Sequence, residues 1–195
     1  IPGVLIKRYK RFFVDFKLKN KTVTAHCPNP GSMIKLLDKG NPVWITKSKN
    51  KERKLKYTLQ IIEVDNIKIC VNTHVTNKIV QESIDKGLIK ELKSFKIIRP
   101  EKKFGKDTRF DFFLYNNKTD KKAFLEVKSV SLQRKTKHAE FPDSVTSRGK
   151  KHLENLISAY EQGYDSYLMF LIQIEKCKSF SIASDIDPKY YEVFN

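Results

Sequence analysis

Cysteine is scarce in this 195-residue sequence: Cys27, Cys70 and Cys177 are far apart, odd in number and form no CxxC pair. That excludes a disulfide scaffold and the usual zinc or thioredoxin-like spacings, so the thiols read as reduced and cytoplasmic. Long apolar runs are missing too. The longest, Tyr167 to Ile172, is far short of the roughly 20 residues a membrane helix needs. No basic, apolar, small-residue leader opens the chain. A soluble protein with no membrane partner is expected. Because it begins at Ile1 rather than Met and stops at Asn195 inside a helix-like stretch, it reads as a piece of a longer protein.

Acidic residues are the other shortage. Twenty-two Asp and Glu face thirty-nine Lys and Arg, a net charge of +17, which points to a polyanionic partner, most naturally nucleic acid. Thirty-two of the basic residues are Lys, as an AT-rich genome would also produce. Their distribution favours a binding footprint: residues 1–80 carry net +12 and residues 81–195 net +5. A chain of this length buries roughly 70% of its unfolded surface, so folding needs no metal or disulfide staple.

The first eighty residues alternate with period two. Phe12, Val14, Phe16 and Leu18 share one face, a turn follows at Asn20-Lys21, and further strands are expected at 22–27, 43–46, 55–64 and 67–71, with a hairpin at Asp65-Asn66. With one small helix over Met33–Leu37 ending at Gly40, this predicts a small closed barrel of the oligonucleotide-binding (OB) kind spanning 1–74. From Thr76 the period becomes helical: Ile79, Val80, Ser83 and Ile84 form a stripe that Gly87 ends. Strands at 95–99, 109–115 and 123–130 follow, the last two separated by the turn-rich Asn116–Asp120. Next comes a helix capped by Ser147, with Leu153, Leu156, Ile157 and Tyr160 as its apolar face and Gly163 closing it. The run from Tyr167 to Ile174 reads as a strand buried within a sheet. The expected fold class is therefore α+β or α/β in two domains, the second (75–195) ordered helix, three strands, helix, strand around a mixed sheet.

Glu126 and Lys128 lie two apart in a predicted strand, so both side chains share a face. Asp111 joins them if the preceding hairpin is centred between Lys118 and Thr119, where the turn signal lies. Two carboxylates and an ammonium suit the chemistry of a metal-dependent phosphodiesterase: Mg²⁺ or Mn²⁺ takes oxygen ligands, often one or two carboxylates plus the phosphate, and the ammonium orients a water. Glu82 on the preceding helix is a fourth candidate. The Glu-x-Lys pattern is not specific by itself, since it recurs at Glu52, Glu91 and Glu101. A cross-strand pair on a solvated sheet face fits the same residues. Near the N terminus, His26 and Cys27 precede the rigid Pro28-Asn29-Pro30-Gly31 turn and read as structural.

Five blocks carry a resemblance through nearly the whole chain: Arg8-Tyr9-Lys10-Arg11-Phe12, His26-Cys27-Pro28-Asn29-Pro30-Gly31-Ser32-Met33, Arg53-Lys54-Leu55-Lys56-Tyr57-Thr58, Glu126-Val127-Lys128-Ser129-Val130, and Phe141 through Leu153. In these the sequence resembles the sugar fermentation stimulation protein A (SfsA) family. The resemblance implies DNA binding, an OB-like N-terminal domain and a C-terminal domain similar to PD-(D/E)xK nucleases. It places Asp111 and Glu126 as metal ligands, Lys128 as the catalytic lysine and Glu82 as the helix carboxylate. Pro30 departs from the family's usual Thr.

The residues expected to contact nucleic acid are Arg8, Lys10, Arg11, Lys47, Lys49, Arg53, Lys54 and Tyr57 in the first domain, and Arg148, Lys151 and His152 at the start of the second helix. Two rivals to a nuclease of low sequence specificity remain open at this level. One is a non-catalytic DNA-binding regulator of sugar-utilisation genes; the other is an RNA-binding or RNA-processing factor. No helix-turn-helix or zinc finger supports specific reading of the major groove.

Overall fold

The computed structural model describes residues 1–105 and 108–195, and it divides into two compact units. The first comprises residues 1–74, 130–144 and 172–186; the second comprises 75–129, 145–171 and 187–195. The break at His74/Val75 coincides with the change of period, but the second unit is not one continuous stretch of chain, because two later segments pack with the first.

In the first unit, β1 (Pro2–Tyr9), β2 (Phe13–Leu18), β3 (Lys21–His26), β4 (Pro42–Lys47) and β5 (Tyr57–Val64) form a sheet ordered β3-β2-β1-β4-β5. Pairing of β3 with β5 at Ala25↔Tyr57 and His26↔Thr58 closes it into the five-stranded OB barrel. Closure leaves one face of each strand inside, which is why Leu5, Val14, Phe16, Ala25, Val43, Ile45, Leu59 and Ile62 are all but inaccessible. A sixth strand, β6 (Ile67–Cys70), extends from β5 through a turn in which Asp65 and Asn66 both take the left-handed conformation that a tight hairpin demands.

The segment expected as a small helix at Met33–Leu37 is instead a run of turns, because Met33 and Lys35 both have positive φ and cannot propagate a right-handed helix. Asp143 anchors it, accepting a hydrogen bond from the Met33 amide at 3.0 Å. Asp143 belongs to the returning segments, which supply a three-stranded sheet, β10 (Leu132–Lys135), β11 (His138–Phe141) and β13 (Ser179–Ile182), with β11 and β13 parallel.

The second unit is built on a four-stranded sheet ordered β12-β9-β8-β7, from β7 (Lys96–Phe104), β8 (Thr108–Asn116), β9 (Lys121–Val130) and β12 (Asp165–Ile172). β12 stands at the edge of that order with every residue half-buried, whereas an interior position was expected from its unbroken apolar run. On one face, α1 (Thr76–Asp85) packs Val80 and Ile84 against Phe112, Leu114, Leu125 and Val127. On the other, α2 (Ser147–Glu161) packs Leu156 and Ala159 against Phe110 and Phe124. A third helix, α3 (Pro188–Phe194), ends the chain.

The residue that caps α2 is Thr146, whose hydroxyl accepts from the Gly149 amide at 3.0 Å, rather than Ser147. The apolar face of α2 is also narrower than expected. Leu153 and Leu156 are buried, while Ile157 and Tyr160 are 48% and 70% exposed, having rotated off the sheet-facing stripe. Asp187 caps α3 through the Tyr190 amide and also accepts from the Thr146 amide at 2.7 Å, tying the starts of the two helices together.

Candidate active site

The antiparallel register of β8 and β9 runs from Asn116↔Lys121 to Phe112↔Leu125, centred on the predicted turn. Continued by one residue, it brings Asp111 opposite Glu126. There a side chain takes over from the ladder: Asp111 Oδ2 accepts the Val127 amide N–H at 2.7 Å, and Oδ1 accepts from Asn77 Nδ2 of α1 at 2.8 Å. Lys128, two residues beyond Glu126 and hence on its face, donates from Nζ to Glu126 Oε1 at 2.7 Å. Asp111, Glu126 and Lys128 are therefore brought together as the sequence spacing predicted.

Glu126 is 3% exposed, an unusual position for a carboxylate. Two donors meet its Oε1, Lys128 Nζ and His152 Nδ1 of α2, while its Oε2 is buried with no hydrogen-bond partner among the described residues. Burial pushes the Glu126 carboxyl up, but the hydrogen bonds and charges of His152 and Lys128 outweigh it and hold the group below the usual carboxylate range. Asp111 moves the other way. Burial and then the neighbouring Glu126 charge raise it, against the opposing pull of the Val127 amide, Asn77 and Lys128. The two acids are thus driven apart, Glu126 downward by His152 and Lys128 and Asp111 upward by burial and then by the Glu126 charge.

A divalent cation fits this donor set. It would give the orphaned Oε2 a partner and offset both the burial and the Glu126 repulsion that raise Asp111, and both groups are hard oxygen donors of the kind Mg²⁺ and Mn²⁺ prefer. No group of three or more His, Cys, Asp or Glu positioned for a metal occurs among the described residues. Two carboxylates with waters and a phosphate as the remaining ligands are the ordinary Mg²⁺ arrangement.

Residues 74–195 match the family described as the sugar fermentation stimulation protein RE domain, and residues 6–71 match the SfsA N-terminal OB domain. The chain belongs to the SfsA family. A sugar fermentation stimulation protein homolog from Pelagibacter ubique is 54% identical over 192 residues, covering 98% of this chain and 82% of the relative. A homolog from Rhodospirillum centenum is 42% identical, covering 97% and 82%. Among solved structures, that of Pyrococcus furiosus SfsA in complex with Ca²⁺ superposes with a TM-score of 0.90 at 25% identity, covering 99% of this chain and 81% of that one.

Glu82 is not brought to the cluster. It lies on α1 midway between the buried Val80 and Ile84, on the opposite side of the helix, where its side chain is 64% exposed and paired with Lys86. The α1 residue that does reach Asp111 is Asn77, three positions before Val80 and hence near the buried stripe. Of the residues expected at a phosphate, Arg148 and Lys151 are exposed, but His152 is only 7% exposed and turns inward to Glu126. Tyr190 of α3, fully buried, also faces this site: burial and then the charges of Glu126 and Asp187 push its hydroxyl well up. Sequence reading passed over Asn77 and Tyr190. The Asp187-Pro188 start of α3 was the available signal for the latter, since Asp before Pro marks a helix N terminus.

In the barrel the expected contact residues divide into two kinds. Lys10, Arg11, Lys47, Lys49 and Lys54 are exposed, with Lys10 and Arg11 on a turn of positive φ. Arg8 is occupied internally, donating to the carbonyls of Asn29 at 2.8 Å and Gly31 at 2.9 Å and so bracing the Pro28–Ser32 loop. Arg53 donates to Thr58 Oγ1 at 2.9 Å, and Tyr57 is half-buried edge-on against Phe16. His26 stacks on Phe12 and lies tilted against His74, and burial, then Arg53 and His74, lower its pKa. No helix among the described residues is long and apolar enough to cross a membrane.

Proposed function

We propose that this chain is a divalent-metal-dependent nuclease of low sequence specificity, acting in the cytoplasm on nucleic acid, DNA first. The observation that carries this is the convergence of Asp111 and Glu126 at the end of the β8–β9 ladder, with Lys128 on Glu126 Oε1 and Glu126 Oε2 buried without a hydrogen-bond partner among the described residues. The Ca²⁺ complex of the Pyrococcus furiosus relative supports a hard-cation site in this fold. Asp111 and Glu126 would hold Mg²⁺ or Mn²⁺, which when bound supplies Lewis-acid stabilisation of charge on phosphoryl oxygens. Lys128 keeps its ammonium at the cluster, where it can orient a water. Arg148 and Lys151, exposed at the start of α2, face solvent and can steady a phosphate. The barrel (1–74), with Lys10, Arg11, Lys47, Lys49, Arg53 and Lys54, supplies the electrostatic grip on the backbone.

A second reading, a non-catalytic DNA-binding regulator of sugar-utilisation genes, is favoured by one observation: Lys128 and His152 already meet the Glu126 charge without an ion. Cleavage separates the two. Wild-type protein with Mg²⁺ or Mn²⁺ is expected to cut single- or double-stranded DNA, and Lys128→Ala to lose about 10²-fold or more in rate, the scale of removing one transition-state charge partner. Equal rates in the two proteins would refute catalysis at this site. Specific binding to one sequence without cleavage would favour the regulator.

A further inference from the structure

Sequence placed His152 among residues that meet the substrate phosphate, but its surroundings give it another part. Its Nδ1 contacts Glu126 Oε1, and its Nε2 accepts from Arg148 Nε at 3.4 Å. An arginine can only donate, so Nε2 is the acceptor and Nδ1 carries the proton toward Glu126. Both ring nitrogens are thereby engaged at 7% exposure, beneath the helix start, with no face left for a phosphate. The ring also packs edge-on to Phe110, centroids 6.4 Å apart, which fixes its plane. The helix that delivers it is itself pinned, since Thr146 caps α2 and Asp187 holds the Thr146 amide.

We infer that His152 is a positioning residue for the metal site: by donating from Nδ1 to Oε1 it locks the Glu126 carboxylate so that its orphaned Oε2 stays aimed at the cation, while Arg148 fixes the ring's tautomer. This rests on the metal reading above. Carboxylates that ligate metals are commonly oriented by such outer partners, whose loss costs about 10–100-fold in metal affinity.

The test is Mn²⁺ binding by calorimetry to wild type, His152→Asn, His152→Gln and His152→Leu, each first shown to be folded by thermal melting in EDTA. An Asn amide nitrogen falls near the Nδ1 position and a Gln amide nitrogen near Nε2. If the Nδ1 donor matters, Asn keeps affinity near wild type, while Gln and Leu lose about 10–100-fold. If the ring merely fills space, Leu, the better filler, binds like wild type, and the inference is overturned. It is equally overturned if Asn and Gln behave alike. Should Leu fail to fold, the Asn and Gln pair alone decides. In cleavage assays the loss is expected in kcat with KM for the oligonucleotide unchanged, and a rise in KM alone would return His152 to the phosphate. Wild type that binds no Mn²⁺ defeats the metal reading itself, an outcome distinct from wild type that binds and variants that do not differ.

Discussion

Lys128→Met isolates what the ammonium does for the buried carboxylates, because methionine keeps the apolar stem and removes only the charge. In the wild type the Lys128 and Glu126 side chains are 11% and 4% exposed, and Nζ lies 2.7 Å from Oε1. Screening by solvent is therefore slight. A hydrogen bond to a charged group contributes about 1.5–3 kcal/mol, and breaking a buried ion pair outright costs about 3–5 kcal/mol. Since His152 remains on the same oxygen, the lower range applies, and about 2 kcal/mol is expected near neutral pH in EDTA. The sign with pH follows from Glu126. Its folded pKa lies below the ordinary value, so the unfolded chain takes up the proton first as pH falls, and the stability that the ionised group contributes is lost as pH drops through the folded pKa. Lys128 also pulls Asp111 down, so its removal raises both acids. Once both are protonated the ammonium has nothing to attract, and the gap between wild type and variant should close. Urea melts of both proteins from neutrality to about pH 3 measure it. A gap that is absent at neutrality, or that persists undiminished in acid, would refute this account of the site.

Other expectations follow from the same geometry. Arg134 makes paired hydrogen bonds to Glu140 and a second pair to the exposed Asp185; Arg134→Ala should destabilise the fold by about 1 kcal/mol, the scale of a partly screened ion pair, measured by urea denaturation. Because Glu140 and Asp185 are both held below the ordinary carboxylate range, chiefly by Arg134, that loss should shrink as pH falls through their folded pKa values. Glu82→Gln should leave Mn²⁺ affinity unchanged, since this carboxylate is exposed and paired with Lys86; a large loss would show that α1 contributes a ligand. For oligonucleotide binding, each of Lys49→Ala and Lys54→Ala should reduce the slope of log affinity against log salt by about one, uniformly across sequences.

Legibility in the sequence followed the range of the forces involved. The barrel strands were readable because period-two alternation is a local consequence of one face being buried, and the Asp65-Asn66 turn because those two residues tolerate left-handed backbone at low cost. The Asp111–Glu126 pairing was readable for a different reason: an antiparallel hairpin converts a turn position into a register, so one midpoint places every cross-strand partner. What failed was orientation about a helix. A stripe of Ile79, Val80, Ser83 and Ile84 spans too wide an arc to say whether Glu82 or Asn77 faces the sheet, and only the packing of Val80 and Ile84 against Phe112 and Leu125 decides for Asn77. His152 was misplaced likewise, because its neighbours Arg148 and Lys151 suggested a basic solvated face. Nor does any local pattern announce that 130–144 and 172–186 return to the barrel unit, since they pair with partners distant in sequence.

The placement of His152 bears on what the site can do. A carboxylate at 3% exposure would ordinarily protonate to escape the cost of burying charge. Glu126 stays ionised because two donors from different elements, Lys128 on its own strand and His152 on α2, converge on one of its oxygens and leave the other bare. Had the donors been shared between the oxygens, the group would be a satisfied structural ion with nothing to offer. Concentrating them on Oε1 keeps the group ionised while Oε2 has no hydrogen-bond partner among the described residues, and the Glu126 charge is, after burial, the second cause that raises Asp111. That asymmetry sets Glu126 apart from a buried salt bridge in which both oxygens are met, and it is lost if either donor moves to the second oxygen.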